Sequence, residues 1–237
     1  MTTIQELGGY SSSFTNEISD VETYKKELIL RTLYGEYGGK IPNSVVGAGV
    51  IWSKLYKTEF IRNCNVKFVP GLVRAQDTVF FLNLISRTQR ITHLPMALYH
   101  YRVNNGSICS GNKYIKNSEY AFGKLIEEYK KIIVDGGYGK EFVDAYYARI
   151  IQVLFWHFTH NCFNRSNPES FSKKLNHYES ILQSEPYNSA IIQVNENLLA
   201  RREKWLVRSC RLHMMPLYVF ALNLYRDFIR FRVEHRR

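Results

Sequence analysis

Five segments in order decide the predicted fold: VIWSKLYKTEF (50–60), NVKF (65–68), DTVFFLNLIS (77–86), RITHL (90–94) and ALYHYRV (97–103). The first and the third have helical spacing, and the third begins with an acid, as helices often do. The other three are short runs containing β-branched and aromatic residues, which is typical of strands. These segments predict a mixed fold of short strands and helices, of the α/β (α+β) class.

Helical periodicity dominates the rest of the chain. The pattern predicts a helix over 21–34, and four further segments repeat it: 113–134, 140–163, 169–184 and 187–205. We therefore expect an α/β domain over residues 1–112, a helical region over 113–205, and a separate terminal helix over 206–237.

Composition excludes several classes of protein. With 45 % hydrophobic and 22 % charged residues in a chain of 237, a folded core is expected rather than disorder. The net charge of +11 is concentrated in residues 201–237, which hold ten Lys/Arg and three Asp/Glu. Because a nucleic-acid binder is expected to carry its basic stripe on the folded part, we predict no nucleic-acid partner.

The sequence also indicates the cellular compartment and whether a membrane span or a phosphate-binding loop is expected. The four cysteines are scattered without a C-x-x-C pair, as expected for a reduced cytosolic protein. Residues 1–20 are polar and do not resemble a signal peptide, and no run of about 18 apolar residues predicts a membrane span. The glycines between Gly35 and Gly49 lack the lysine of a phosphate-binding loop.

The order of segments in residues 50–108 resembles the second half of family 2 inverting glycosyltransferases of the GT-A type, the capsule, lipopolysaccharide and exopolysaccharide class. The matching pieces are a W-x-K-L-Y segment, a Phe before a Pro-Gly turn, an acid at a helix start, and P-x-x-L-Y-x-Y-R with a serine behind it. The resemblance implies an acceptor-side GT-A-like half. It also implies transfer of a sugar from a nucleotide sugar to a glycan or lipid-linked acceptor in surface polysaccharide biosynthesis.

Asp77 occupies the position of the family's catalytic aspartate, which takes a proton from the acceptor hydroxyl as it attacks the anomeric carbon. The alternative is that Asp77 only caps its helix or complements the helix dipole. The preceding family glutamate is Gln76 here, which can hydrogen-bond a sugar hydroxyl but carries no charge. This departure puts the electrostatic role of the glutamate in doubt.

The segment Tyr99–Ser107 resembles the family loop that closes over the diphosphate. Arg102 would offer a planar cationic fork to phosphate oxygens, and Ser107 a hydroxyl donor. His100 would contact the diphosphate or a metal, or would be an ordinary strand histidine. Trp52 and Lys54 are expected to pack against and cap their helix rather than bind a ligand.

The donor-binding half that such an enzyme needs is not recognisable in the sequence. No D-x-D motif, which would hold Mg²⁺ or Mn²⁺, occurs, and residues 1–49 are too few for several βαβ units. No cofactor is therefore expected in this chain itself. Three explanations are open: a truncated gene product, one subunit of a split enzyme with a donor-half partner, or a binding or scaffold protein. We expect the isolated chain to be inactive and marginally stable.

The C-terminal segment 206–237 is predicted to be a basic amphipathic helix. Between Arg211 and Arg226 it has no charged residue other than a protonated His213, a run too short to span a bilayer. Such a helix suits the surface of an anionic membrane, and the alternative is packing on the domain with a solvated basic face. We expect a cytoplasmic protein, peripheral on the inner face of the cell membrane. The alternative function is a non-catalytic partner-binding or membrane-docking subunit.

Overall fold

The computed structural model describes residues 20–37, 49–72, 74–92 and 114–234, with side chains up to Tyr225 in the last helix. Helices make up 66 % of the described residues. The elements, in chain order, are α1 (Val21–Leu33), α2 (Thr58–Cys64), α3 (Gln76–Ile85), α4 (Ser118–Ile133), α5 (Lys140–His157), α6 (Phe171–Gln183), α7 (Tyr187–Gln193), α8 (Arg201–Arg211) and α9 (Met215–Glu234). A π-helical turn, Phe158–Cys162, extends α5, and a 3₁₀ turn, Glu196–Leu198, precedes α8.

The predicted α/β class is wrong, because the described residues contain no strand. Asn65, in the first predicted strand, has a left-handed backbone (φ 50°) and ends α2. Phe68, in the same segment, stacks its ring on Phe80 of α3, with 4.3 Å between centroids. A strand needs a neighbouring backbone for its hydrogen bonds, whereas this segment covers a helix.

The other two predicted strands do not restore a sheet. Residues 90–92 include a bridge at Thr92 but no strand, and 97–103 lie outside the described residues. The short-strand, GT-A-like half expected from the resemblance is therefore not present in the part of the chain that the structure describes.

Helix α5 is the centre of the fold. It packs against α1, α4, α7 and α8, and α3 in turn packs on α1 and α4. Because neighbours cover α5 on several sides, its apolar residues are buried almost all round: Ala145, Ala148, Ile150, Ile151, Val153 and Leu154. The core that results is continuous from Leu28 in α1 to Val219 in α9, and it fixes α3, which carries Asp77.

Local polar contacts explain where several helices begin and end. Asp20 accepts a hydrogen bond from the Thr23 backbone N–H (2.9 Å) and so caps α1. Beyond α5, the π-helical turn lets Asn161 Nδ2 reach back to the carbonyls of Ile115 and Lys116, at 2.8 and 3.0 Å. The chain before α4 is thereby fastened to the end of α5.

Two predicted helices have different limits in the structure. Residues 50–57 form a loop, because Ser53 has a left-handed backbone (φ 56°), and the helix starts only at Thr58. The predicted helix over 187–205 breaks after Gln193, where the Asn195 side chain accepts the Asn197 N–H (3.1 Å) in a tight turn.

Candidate functional site

The first turn of α3 presents the candidate base. Gln76 and Asp77 are the first two helical residues, and Asp77 Oδ1 accepts a hydrogen bond from the Thr78 backbone N–H (2.9 Å). The residue before them, Ala75, has a left-handed backbone (φ 59°) and provides no side-chain cap. The Asp77 carboxylate therefore lies, partly exposed, where the free N–H groups of the helix favour negative charge.

The Gln76 side chain points back along the chain. Its Nε2 donates a hydrogen bond to the Leu72 carbonyl, in the segment that leads into α3. One donor of the amide is thus used to hold the loop before the helix. The remaining groups are available to a ligand, because the residue is exposed.

Lys54 interacts electrostatically with Asp77, although the two residues are 23 positions apart in the sequence. Its Nζ donates to the Val50 carbonyl (2.7 Å) and lies 4.8 Å from the centroid of the Phe81 ring. Burial lowers the pKa of Lys54 to about 8, and the Asp77 carboxylate opposes that decrease. The loop 50–57 and the start of α3, two separate pieces of the resemblance, are therefore close enough in space for their charges to interact.

A glycine makes this approach possible. Gly49 has φ +80°, and a Cβ there would lie 3.3 Å from Thr78 Cγ2 and 3.5 Å from Thr32 Cγ2. The backbone thus runs directly over α1 and the first turn of α3, which places the Val50 carbonyl where it can hold Lys54. Both the left-handed backbone and the close contact favour glycine at this position.

Tyr56 adds a buried polar group to the same loop. Its hydroxyl has no hydrogen-bond partner among the described residues, and burial raises its pKa to about 12. Trp52, between Gly49 and Lys54, is half-buried.

The other predicted site residues cannot be placed. His100, Arg102 and Ser107 lie outside the described residues. The described candidate site is therefore Lys54, Gln76 and Asp77. The sequence alone predicts only that Lys54 packs against and caps its helix. Its place in the W-x-K-L-Y segment was the available signal for a functional role, and the structure adds its proximity to Asp77.

Three other polar clusters contain side chains of types that occur in active sites, but the central residue of each cluster is buried: His157, Cys162 and Glu203. Ser118 Oγ and the Tyr187 hydroxyl lie 2.9 and 2.7 Å from the two ring nitrogens of His157. His157 is fully buried, and burial lowers its pKa to about 3. The ring is neutral at physiological pH and links α4, α5 and α7.

A second cluster is a row of three side chains that resembles a nucleophile, a base and an orienting acid: Cys162, His177 and Glu119. Cys162 Sγ lies 3.9 Å from His177 Nδ1, and His177 Nε2 lies 2.8 Å from Glu119 Oε1. Burial raises the pKa of Cys162 to about 12, so the sulfur is a thiol rather than the thiolate that a nucleophile requires. The row is therefore structural.

Glu203 lies in the first turn of α8 and is fully buried. Its Oε2 accepts hydrogen bonds from the Tyr34 hydroxyl and from the Ala200 N–H (3.2 Å). Its Oε1 makes no hydrogen bond to any residue that the structure describes, and lies 3.8 Å from Arg202 Nε. Burial raises the pKa of Glu203. This carboxyl joins α1 to the start of α8.

In the residues that the structure describes, no three His, Cys, Asp or Glu side chains are arranged to hold a metal ion, and no helix is long and apolar enough to cross a membrane. Comparison with known proteins gives no significant match to a protein-family model, to a curated protein or to a solved structure.

Proposed function

We propose that the chain acts in sugar transfer for surface polysaccharide biosynthesis, as a glycosyltransferase-type protein with Asp77 as the reactive carboxylate. The substrates would be a nucleotide sugar and a glycan or lipid-linked acceptor. The observation that carries the proposal is the electrostatic interaction between Lys54 and Asp77. Both residues belong to the pieces of sequence that resemble the family, and they lie near each other in space despite their separation in the chain.

The pair suits inverting transfer chemically. The base is an unprotonated carboxylate that lies near the acceptor hydroxyl. It takes the hydroxyl proton as that oxygen attacks the anomeric carbon and the nucleoside diphosphate leaves. The helix N-terminus and the Lys54 ammonium both place positive charge near Asp77. The ammonium also attracts the anionic diphosphate of a donor, and Gln76 can hydrogen-bond a sugar hydroxyl.

A second candidate function is a non-catalytic subunit that binds a partner, such as a donor-half protein, or docks on a membrane. The exposed apolar face of α9 favours it, because a face of that kind marks an interaction surface. Under this alternative Asp77 only stabilises the start of α3.

The two candidates differ in what Asp77→Asn does to sugar transfer. We would measure transfer of labelled sugar from a panel of nucleotide sugars to lipid-linked acceptors in the presence of Mn²⁺. The purified chain would be tested alone and after addition to an extract of a host strain that lacks its gene. Sugar transfer that depends on the chain and falls about a hundredfold or more in Asp77→Asn is expected.

The matched control is Glu59→Gln, which removes an exposed acid from the first turn of α2. It should transfer sugar as the wild-type chain does. Transfer that needs the chain but is equal in Asp77→Asn would assign the non-catalytic role, and transfer independent of the chain would reject the proposal.

A further inference from the structure

Helix α9 buries one face and exposes another that is equally apolar. Met215 and Val219 are buried against the domain. On the outer side, five large apolar side chains are each between 45 and 63 % exposed: Met214, just before the helix, and Leu217, Phe220, Leu224 and Tyr225. We call these five residues the α9 stripe.

The spacing of the stripe makes it a continuous surface. Its members are separated by three, three, four and one positions, so they fall within one broad face of a helix. Ala221 lies between them, and Phe228 and Phe231 continue the same spacing in the sequence. Scattered exposed apolar residues are ordinary, but a contiguous row along several turns marks a surface that is covered in use.

The charge around the stripe indicates what covers it. Residues 201–237 contain ten Lys/Arg against three Asp/Glu, and Arg201, Arg202 and Arg208 are exposed on α8, which packs against α9. Trp205 on α8 is also 55 % exposed, and tryptophan is favoured where apolar and polar phases meet. An exposed apolar face in a strongly basic segment complements lipid tails beneath anionic headgroups.

We propose that the α9 stripe docks the chain on an anionic phospholipid surface, with α9 lying in the plane of the interface. Helix α9 has 20 residues but is not apolar enough to cross a bilayer, so the proposed contact is interfacial. A second copy of this chain fits the stripe less well, because it would bring two strongly basic segments together. The inference is independent of sugar transfer, since it rests on none of the residues around Asp77.

The test is co-sedimentation of the full chain with vesicles of phosphatidylcholine, either alone or mixed with phosphatidylglycerol. The double variant Leu217→Gln/Leu224→Gln removes two apolar side chains without changing charge or helix propensity. Its control, Tyr120→Gln/Ile192→Gln, removes two equally exposed apolar side chains from α4 and α7. Circular dichroism and thermal unfolding would establish that both variants remain folded.

We expect binding to the phosphatidylglycerol vesicles that weakens with added salt, falls at least about tenfold in the stripe variant, and is retained by the control. Absence of binding, or equal binding by the stripe variant, would overturn the proposal. So would light scattering that shows a dimer broken by the stripe variant, without vesicle binding, because the stripe would then be a self-association surface.

Discussion

His157 makes the stability of this fold sensitive to acid. The ring is buried between Ser118 and Tyr187, and burial lowers its pKa from the usual 6.5 to about 3. The unfolded chain therefore binds a proton at this site in a pH range where the folded chain does not. Stability from the neutral ring is fully present above pH 6.5 and is lost progressively as pH falls towards 3.

The size of the effect follows from the shift of the pKa. A decrease of the pKa from 6.5 to about 3 lowers the free energy of unfolding by about 5 kcal/mol once the pH is below both values. By a pH of about 4.5, about 3 kcal/mol of that free energy is already lost. A small domain is stable by only about 5–15 kcal/mol, so acidification should move the urea midpoint substantially.

The assay is urea unfolding, followed by circular dichroism at a series of pH values, for wild type and His157→Gln. The variant loses hydrogen bonds and should be less stable at neutral pH, but its stability should fall less steeply with acid. His213→Asn, which removes an exposed histidine from a turn with φ 55°, should keep the wild-type slope. Equal slopes for wild type and His157→Gln would refute the reasoning.

Three further outcomes are expected. Gly49→Ala should cost about 1–2 kcal/mol in urea unfolding, because alanine is strained at φ +80° and its Cβ would lie 3.3 Å from Thr78 Cγ2, whereas Gly35→Ala, which meets nothing within 4 Å, should cost little. Glu203→Gln should gain stability relative to wild type as pH rises above 4.5, since burial raises the pKa of Glu203 and the wild-type carboxyl must ionise in the core; a constant difference across pH would contradict this. Arg149→Met should lower the thermal unfolding temperature less than Arg149→Ala does, because methionine fills most of the space of the arginine. The buried guanidinium packs on Tyr129 and Trp156, and its Nε has no hydrogen-bond partner among the described residues. Equal loss of stability in both variants would contradict this.

The sequence predicted helices well where apolar spacing and an end signal agreed. Helix α1 begins at Val21, and α3 carries Asp77 in its first turn, as expected. The strand over 65–68 was predicted wrongly because a short segment with apolar residues has the same pattern whether those residues face a sheet or a helix. Phe68 shows this, since its partner is the ring of Phe80.

The candidate site was predictable only in part. Asp77 and Gln76 could be identified from a local pattern, but the role of Lys54 depends on a contact between loop 50–57 and α3. That contact requires the left-handed backbone of Gly49, which a glycine-rich sequence does not specify by itself. The break after Gln193 was missed for a similar reason, because the turn depends on a side-chain hydrogen bond of Asn195.

The central claim is that Lys54 and Asp77 form one site that acts in sugar transfer. Its most direct test is to follow the Lys54 resonance by NMR, after labelling lysines with ¹³C-methyl groups, with Lys54→Arg to assign the signal. We predict titration with a pKa near 8, a lower value in Asp77→Asn, and a higher value when a nucleotide sugar binds with Mn²⁺. A Lys54 resonance that responds neither to Asp77→Asn nor to any nucleotide sugar would contradict the account.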